Sequence, residues 1–217
     1  MTSACVFDLD GTLVDSLPGI ALSLNRSLQA VGLPTHAQEK VRTFIGDGAE
    51  MLVKRAVGQE KLDCAEEVLA LFREAYAEDW KSGTIPYAGI VEMLSALQQL
   101  GMPMAVLSNK PHAFTVEIVA TLFPGIFCQV LGQQQGVPHK PDPAGLLQLI
   151  EKAGWHHEQV VMIGDSVMDL QTARAAKVQE IAVTWGYHDR AALWAIEPQQ
   201  VVDHVDELRQ RLLSLFA

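Results

Sequence analysis

Cysteine is scarce in this sequence. The three cysteines, Cys5, Cys64 and Cys128, are odd in number, lie far apart and form no C-x-x-C pair. A disulfide framework or a cysteine-based zinc site needs paired or closely spaced cysteines. Cysteine usage therefore predicts reduced thiols in a cytoplasmic protein. The seven histidines show no metal-ligand spacing either, so the sequence does not favour zinc.

Positive charge is also in short supply. The 217 residues include 16 lysines and arginines against 26 aspartates and glutamates, which gives a formal net charge of −10. Domains that bind nucleic acid are usually basic. The charge balance therefore argues against a nucleic-acid partner.

Long apolar runs are absent as well. No run approaches the roughly 20 residues that a membrane-spanning helix requires. The first residues lack the basic segment and apolar segment of a signal peptide. The hydrophobic fraction of 49% is nevertheless ample for a packed core. We therefore expect a cytoplasmic globular protein without a membrane partner, as a monomer or homodimer, with one domain or one domain carrying an insertion.

Five short apolar runs alternate with helical patterns along most of the chain. The runs read ACVFDL, PMAVLSN, FCQVLG, QVVMIGD and EIAVTW. Continuous apolar strands that alternate with helices predict a parallel sheet covered on both faces. The fold class predicted is therefore α/β, with a Rossmann-like core. Asp142 and Pro143 suit the N-cap and first residue of one of its helices.

The segment between the first and second apolar runs has only helical patterns. Thr35 and Gln38 suit a capping box that opens a helix around residues 41–45. One strand cannot stand alone, so this helical segment must be inserted into the α/β core, where it would form a lid. The predicted divisions are core over residues 1–15, an all-helical cap over 16–82 and the remaining core over 83–217.

Polar residues follow the ends of the predicted strands. They are Asp8, Asp10, Ser108, Asn109, Lys140, Asp165 and Asp169. Ligands of open parallel sheets bind outside the carboxyl ends of the strands, so we expect these residues to converge. Two carboxylates about 4 Å apart repel by roughly 4 kcal/mol at an effective dielectric of 20, and a divalent cation relieves that repulsion. Carboxylates, a lysine and a serine together predict an Mg²⁺-dependent site for a phosphoryl group.

Four motifs in this order resemble those of the haloacid dehalogenase superfamily. FDLDGTLVDS, which begins at Phe7, is similar to the first motif, D-x-D-G-T. LSN at Ser108 resembles the second motif, HKP at Lys140 the third and GDSVMD at Asp165 the fourth. The helical insertion after the first motif resembles the superfamily's cap. Within the superfamily, IGDGAEMLV, PYAGI, SNKP and KPDP look most like the phosphoglycolate phosphatase branch.

The resemblance implies a role for each motif residue. Asp8 would be the nucleophile that forms an aspartyl-phosphate, and Asp10 would be the general acid and base. The Asp8 carboxylate, the Asp10 backbone carbonyl and Asp165 would hold Mg²⁺, with Asp169 as a further ligand or just behind them. The residues expected to orient and stabilise the phosphoryl oxygens are Thr12, Ser108, Asn109 and Lys140.

The resemblance also suggests how the cap selects substrates. A cap loop at Gly46-Asp47-Gly48 would point at the core site, and Gly48 would contact the substrate. Arg42 and Lys54 are candidates to bind a substrate carboxylate. The activity expected is hydrolysis of a small phosphorylated metabolite, 2-phosphoglycolate first. The alternatives are a phosphatase for a sugar phosphate or nucleotide, a β-phosphoglucomutase-like sugar phosphomutase, and a binding protein that has the fold without catalysis.

Overall fold

A six-stranded parallel sheet forms the centre of the computed structural model, which describes residues 4–215. Its strands are β1 (Ala4–Phe7), β4 (Met104–Pro111), β5 (Gln129–Gln133), β6 (Val160–Gly164), β7 (Gln179–Val183) and β8 (Val201–Val202). Strands β2 (Val14–Asp15) and β3 (Ile85–Pro86) form a separate two-stranded ribbon. The order in the sheet is β5-β4-β1-β6-β7-β8, and each neighbouring pair is parallel. The predicted α/β class and all five predicted strands are confirmed, whereas β8 was not predicted.

Helices cover the sheet and also form the insertion. They are α1 (Leu17–Ala30), α2 (Gln38–Arg42), α3 (Gly48–Val57), α4 (Ala65–Gly83), α5 (Ile90–Gln99), α6 (His112–Leu122), α7 (Ala144–Ala153), α8 (Val167–Ala175), α9 (Arg190–Ala195) and α10 (Val205–Ser214). Short 3₁₀ helices span Gln59–Cys64 and His157–Gln159. Within residues 4–215, every helix is too short or too polar to cross a lipid bilayer.

Strand β1 lies in the middle of the sheet because its side chains are apolar on both faces. It pairs with β4 on one side and β6 on the other. Phe7 packs into the larger apolar cluster, while Val6 packs into a second cluster on the opposite face, and neither side chain is exposed. The first polar side chains of the chain's central strand therefore emerge at its carboxyl end.

The helical insertion (α1–α4) leaves and rejoins the core at one place. Strands β2 and β3 pair antiparallel, with Val14 opposite Pro86 and Asp15 opposite Ile85. Helices α1 and α4 then pack together so closely that a Cβ on Gly83 would overlap the backbone of Gly19. The ribbon lies within a few residues of the predicted divisions at 15/16 and 82/83. The division into domains stays a prediction, and its outermost residues, 1–3 and 216–217, lie outside the described part.

Two details of the predicted helix starts are wrong. Helix α2 begins at Gln38 after Ala37, without a side-chain cap, so Thr35 forms no capping box. Helix α7 begins at Ala144, one residue later than predicted, because the Pro143 carbonyl accepts its first bond, from the Leu147 N–H at 2.9 Å. Pro143 thus takes the N-cap position, while Asp142 Oδ1 accepts a hydrogen bond from the Ala144 N–H at 2.9 Å.

Candidate active site

Asp8 stands at the carboxyl end of β1 and is 7% exposed. Its N–H donates to the Ile163 carbonyl of β6 at 2.9 Å, which fixes the backbone as it leaves the sheet. The chain then turns at Gly11, which has a φ of +87°. A Cβ on Gly11 would lie 2.5 Å from Asp165 Oδ2, so glycine permits the first motif and the fourth motif to approach.

Three of the predicted carboxylates lie close together beside this turn. Asp8, Asp165 and Asp169 each offer an oxygen within 4.8 Å of the others, and all three side chains are buried. Burial raises the pKa of Asp8 to about 8; Lys140 opposes this shift, and Asp169 and Asp165 add to it. A buried set of carboxylate oxygens fits a hard divalent cation, because its charge removes the cost of ionising the group.

The Asp10 carboxylate is not part of that set. It accepts hydrogen bonds from Lys110 Nζ at 3.0 and 3.1 Å and from Ser16 Oγ at 2.5 Å. The Asp10 side chain thus lines the cavity, where Lys110 and Ser16 both donate hydrogen bonds to it. That Asp10 holds the cation through its backbone carbonyl stays a prediction.

Asp169 joins the site to the start of helix α8. One oxygen accepts from Lys140 Nζ at 2.6 Å, and the other accepts from the Ser166 N–H at 3.0 Å and from Ser166 Oγ at 2.5 Å. The Asp169 N–H donates back to Ser166 Oγ at 3.2 Å, which completes a capping box. Asp169 therefore both caps the helix and holds the lysine of the third motif.

Lys140 links two of the three carboxylates. Its Nζ donates to Asp8 Oδ1 at 2.8 Å, to Asp169 Oδ1 at 2.6 Å and to the Leu107 carbonyl at 3.1 Å. Burial lowers the pKa of Lys140, but Asp169 and Asp8 outweigh burial, so the net shift is upward. Lys140 is therefore a permanent cation beside Asp8.

Ser108 and Asn109 lie at the end of β4, as predicted. Both line the cavity above Asp8. Asn109 Oδ1 accepts from the Lys140 N–H at 2.9 Å, and its Nδ2 donates to the carbonyls of Gly46 and Lys140 at 3.0 and 3.1 Å. The Asn109 amide thus orients the lysine loop and reaches the helical insertion. A direct contact of Ser108 or Asn109 with phosphate stays a prediction.

Thr12 is fully buried, and its hydroxyl faces a carboxylate of the site. Thr12 Oγ1 donates to Asp165 Oδ1 at 3.2 Å. The other oxygen, Asp165 Oδ2, accepts from the Tyr187 N–H at 2.7 Å. Thr12 therefore orients Asp165, and a contact of Thr12 with phosphate stays a prediction.

A cavity of about 740 Å³, partly open to solvent, lies between the sheet and the helical insertion. Gly48 lines it, as predicted, and a Cβ on Gly48 would lie 2.9 Å from His139. Apolar side chains of the insertion and of α6 form the wall opposite the carboxylates. They include Ile20, Ile45, Leu52, Phe72, Tyr76 and Phe114.

The basic residues at the cavity differ from those expected. Arg42 donates from Nε and Nη2 to the carbonyls of Tyr187 and Gly186, each at 2.7 Å, so it ties the insertion to the core. Neither Arg42 nor Lys54 lines the cavity, but Arg73 and Lys110 do. Sequence reasoning missed both. Lys110 directly follows the second motif, which was a usable signal, whereas Arg73 looks like any surface arginine of a helix.

The comparisons with known proteins agree with this geometry. The sequence profile of the family described as haloacid dehalogenase-like hydrolase matches residues 5–183. A Pseudomonas putida protein named phosphoglycolate phosphatase is 38% identical over 210 residues, which cover 94% of this chain and 77% of that protein. One of the same name from Mesorhizobium japonicum is 36% identical over 219 residues, covering 96% and 95%.

A solved structure gives the same result for the fold. The crystal structure of a predicted phosphoglycolate phosphatase from Haemophilus somnus superposes with a TM-score of 0.89 at 31% identity, covering 97% of this chain and 98% of that one. The chain therefore belongs to the haloacid dehalogenase-like hydrolase family, as its four motifs indicate. Within that family it is a phosphoric monoester hydrolase.

Proposed function

We propose that this enzyme is an Mg²⁺-dependent phosphatase that hydrolyses 2-phosphoglycolate through an aspartyl-phosphate on Asp8. The observation that carries the proposal is the position of the Asp8 carboxylate. It lines the cavity, with Lys140 on one side, the other two carboxylates below it and Asp10 nearby.

Asp8 is the nucleophile in this proposal. Lys140 occupies Oδ1, and Oδ2 makes no hydrogen bond to any group in residues 4–215, so Oδ2 is available for attack. Its attack forms the Asp8–phosphorus bond and breaks the bond from phosphorus to the leaving oxygen. Asp10 gives that oxygen a proton. Water then attacks phosphorus, Asp10 takes a proton from it, and the aspartyl-phosphate bond breaks to release phosphate and restore Asp8.

The residues around Asp8 fit the charge that this reaction develops. Asp8 and Asp165 would hold Mg²⁺, with Asp169 close by; when bound, the cation supplies positive charge to the phosphoryl oxygens. Lys140 supplies a second positive charge, between Asp8 and Asp169. Lys110 keeps the Asp10 carboxylate beside the cavity.

The choice of 2-phosphoglycolate rests on the cavity and the relatives together. Three cations line the cavity, and Lys110 and Lys140 are already paired with Asp10 and with Asp8 and Asp169. Arg73 on α4 is exposed and makes no hydrogen bond or ion pair within residues 4–215. An unpaired guanidinium suits the carboxylate of the glycolate group. Relatives at 36–38% identity carry the name of this activity.

The lining of the cavity favours a second candidate, a phosphatase for a larger phosphomonoester such as a sugar phosphate or nucleotide. Much of the wall is apolar, which a two-carbon substrate with two charged ends does not use. A hydrolytic reaction at Asp8 is common to both candidates, so the substrate panel below separates them.

The test is phosphate release from a panel of phosphomonoesters, with Mg²⁺ and with EDTA. We expect activity that needs Mg²⁺ and prefers 2-phosphoglycolate, and none in Asp8→Asn. Preference for a sugar phosphate or nucleotide would keep the chemistry and replace the substrate. No release from any substrate, or full activity in Asp8→Asn, would overturn the proposal.

A further inference from the structure

The start of helix α1 is capped by a residue from the far end of the chain. Ser16 is the N-cap residue by position, yet its side chain makes no capping hydrogen bond. The phenolic oxygen of Tyr187 instead accepts from the Ser16 N–H at 2.6 Å and from the Leu17 N–H at 3.0 Å. Tyr187 therefore accepts from the N–H groups of the N-cap residue and of the first helical residue, which the start of a helix leaves without an intrahelical partner; the Leu17 N–H also donates to Asp15 Oδ1 at 3.1 Å.

The Ser16 hydroxyl has a different partner. Ser16 Oγ lies 2.5 Å from Asp10 Oδ1 and donates to it. An N-cap serine usually accepts a hydrogen bond from the second or third residue of the helix, but the second residue here is Pro18, which has no N–H, and Ser16 makes no capping bond. Ser16 therefore orients the Asp10 carboxylate, and its Oγ also lies 3.3 Å from the Tyr187 hydroxyl.

Tyr187 is held on each of its polar groups. Its hydroxyl donates to Asp15 Oδ1 at 3.0 Å, its N–H donates to Asp165 Oδ2 at 2.7 Å, and its carbonyl accepts from Arg42. The residue is 8% exposed. Burial raises the pKa of its phenol, and the nearby Asp10 adds to the shift, so the hydroxyl keeps the proton that it donates.

We propose that Tyr187 is a positioning residue for the proton donor Asp10. It holds Ser16 at the start of α1 through the Ser16 and Leu17 N–H groups, Ser16 orients Asp10, and the Tyr187 N–H fixes this arrangement relative to Asp165. The inference rests on the proposed function, because it takes Asp10 to be the general acid.

A structural role alone would have a different signature. If Tyr187 only stabilised the fold, its loss would lower turnover of every substrate by the same factor. If it positions the general acid, the loss depends on the leaving group. Glycolate leaves as an alkoxide that needs a proton, whereas p-nitrophenolate is stable as an anion and leaves without one.

The experiment measures kcat/KM of Tyr187→Phe with 2-phosphoglycolate and with p-nitrophenyl phosphate. The phenylalanine variant keeps the ring and removes the hydroxyl. We expect the value for 2-phosphoglycolate to fall about 10- to 100-fold, within the range that a general acid contributes. We expect the value for p-nitrophenyl phosphate to fall less than about 3-fold, since no proton is needed. Equal losses on both substrates, or no loss on either, would overturn the proposal.

Three further variants keep the result decisive. Ser16→Ala should reproduce the difference between the two substrates, which also tests the proposal if Tyr187→Phe fails to fold. Ser27→Ala is the matched control, because Ser27 Oγ donates within α1 to the Ser23 carbonyl, away from Asp10. Asp10→Asn separates the two claims. If the loss of kcat/KM in Asp10→Asn is the same for both substrates, the proposed mechanism fails. If the loss in Asp10→Asn depends on the leaving group but the losses in Tyr187→Phe and Ser16→Ala do not, the Tyr187 inference alone fails.

Discussion

Lys110 Nζ lies 3.0 Å from Asp10 Oδ2 and forms a partly buried ion pair with it. The ammonium also lies 4.6 Å from the centroid of the Tyr76 ring, on helix α4 of the insertion. Burial lowers the pKa of Lys110, but Asp10 and Tyr76 outweigh it, so the net shift is upward. The charge that holds Asp10 in place is thus sandwiched between the core and the insertion.

Lys110→Met should lower kcat/KM for 2-phosphoglycolate by at least about 10-fold, because Lys110 holds in place a carboxyl group whose proton transfer contributes about 10²–10⁴. Steady-state kinetics measure the effect. Lys54→Met is the matched control, since Lys54 is exposed on α3 and does not line the cavity. Unchanged kinetics in Lys110→Met would show that the ion pair has no part in turnover.

Arg73→Met should raise the KM for 2-phosphoglycolate about 10-fold or more, because a hydrogen bond to a charged group contributes about 1.5–3 kcal/mol. The kinetics of ethyl phosphate, which has no carboxylate, should not change. Arg73→Lys should restore part of the affinity. A loss of the same size with ethyl phosphate would mean that Arg73 does not recognise the carboxylate.

Asp8→Asn should stabilise the metal-free protein at pH 8.5. The pKa of Asp8 is raised from 3.8 to about 8 in the folded state. The protonated carboxyl therefore favours folding below about pH 4, and this contribution is lost as the pH rises to about 8. Asparagine stays neutral throughout, so we expect a gain on the order of a few kcal/mol at pH 8.5.

Urea unfolding in EDTA measures this free energy, and the same experiment at pH 4 is the control, where the two proteins should be alike. With Mg²⁺ at pH 8.5 the wild-type protein should become the more stable of the two, because the cation binds its folded state and the variant has lost one of the carboxylates that would bind the cation. A wild-type protein that is more stable than Asp8→Asn in EDTA at pH 8.5 would contradict the assignment.

Arg174→Met should destabilise the fold away from the site. The Glu180 side chain is fully buried and accepts from Arg174 Nε at 2.9 and 3.1 Å and from Nη2 at 2.6 Å. Removing the partner of a buried charge costs about 3–5 kcal/mol. Because Arg174 is partly exposed, we expect about 2 kcal/mol.

The double variant Arg174→Met, Glu180→Leu tests the cause, again by urea unfolding. It should be more stable than Arg174→Met alone, because the carboxylate is no longer buried without its partner. A double variant that is less stable would mean that packing of the arginine side chain dominates.

The sequence was sufficient for the elements that depend on local patterns. β1 and β6 read as continuous apolar runs, because both faces of a central parallel strand are buried. Asp8 and Asp165, which follow β1 and β6, lie in one group, as the rule for strand ends predicts. β8 was missed because its two valines, Val201 and Val202, are too short a run to show a period.

Several contacts of the site have no local signal. Asp169 was predicted near the metal, and it does join that group, but its pairing with Lys140 depends on how α8 sits against the third motif. Arg42 has the sequence features of a solvated arginine, yet its partners are carbonyls about 145 positions away. Such contacts follow from the packing of distant segments, which the periodicity of one segment does not encode.

The antiparallel ribbon of β2 and β3 has a consequence for how this enzyme changes over time. The reacting groups Asp8, Lys140 and Asp165 belong to the core, in segments that follow strands of the sheet, whereas Arg73 and the apolar wall of the cavity belong largely to helices that the ribbon attaches. Since both ends of the insertion meet at adjacent residues, an ancestral gene could exchange those helices without moving a reacting atom. Selection can thereby change the substrate specificity while the catalytic residues are inherited unaltered.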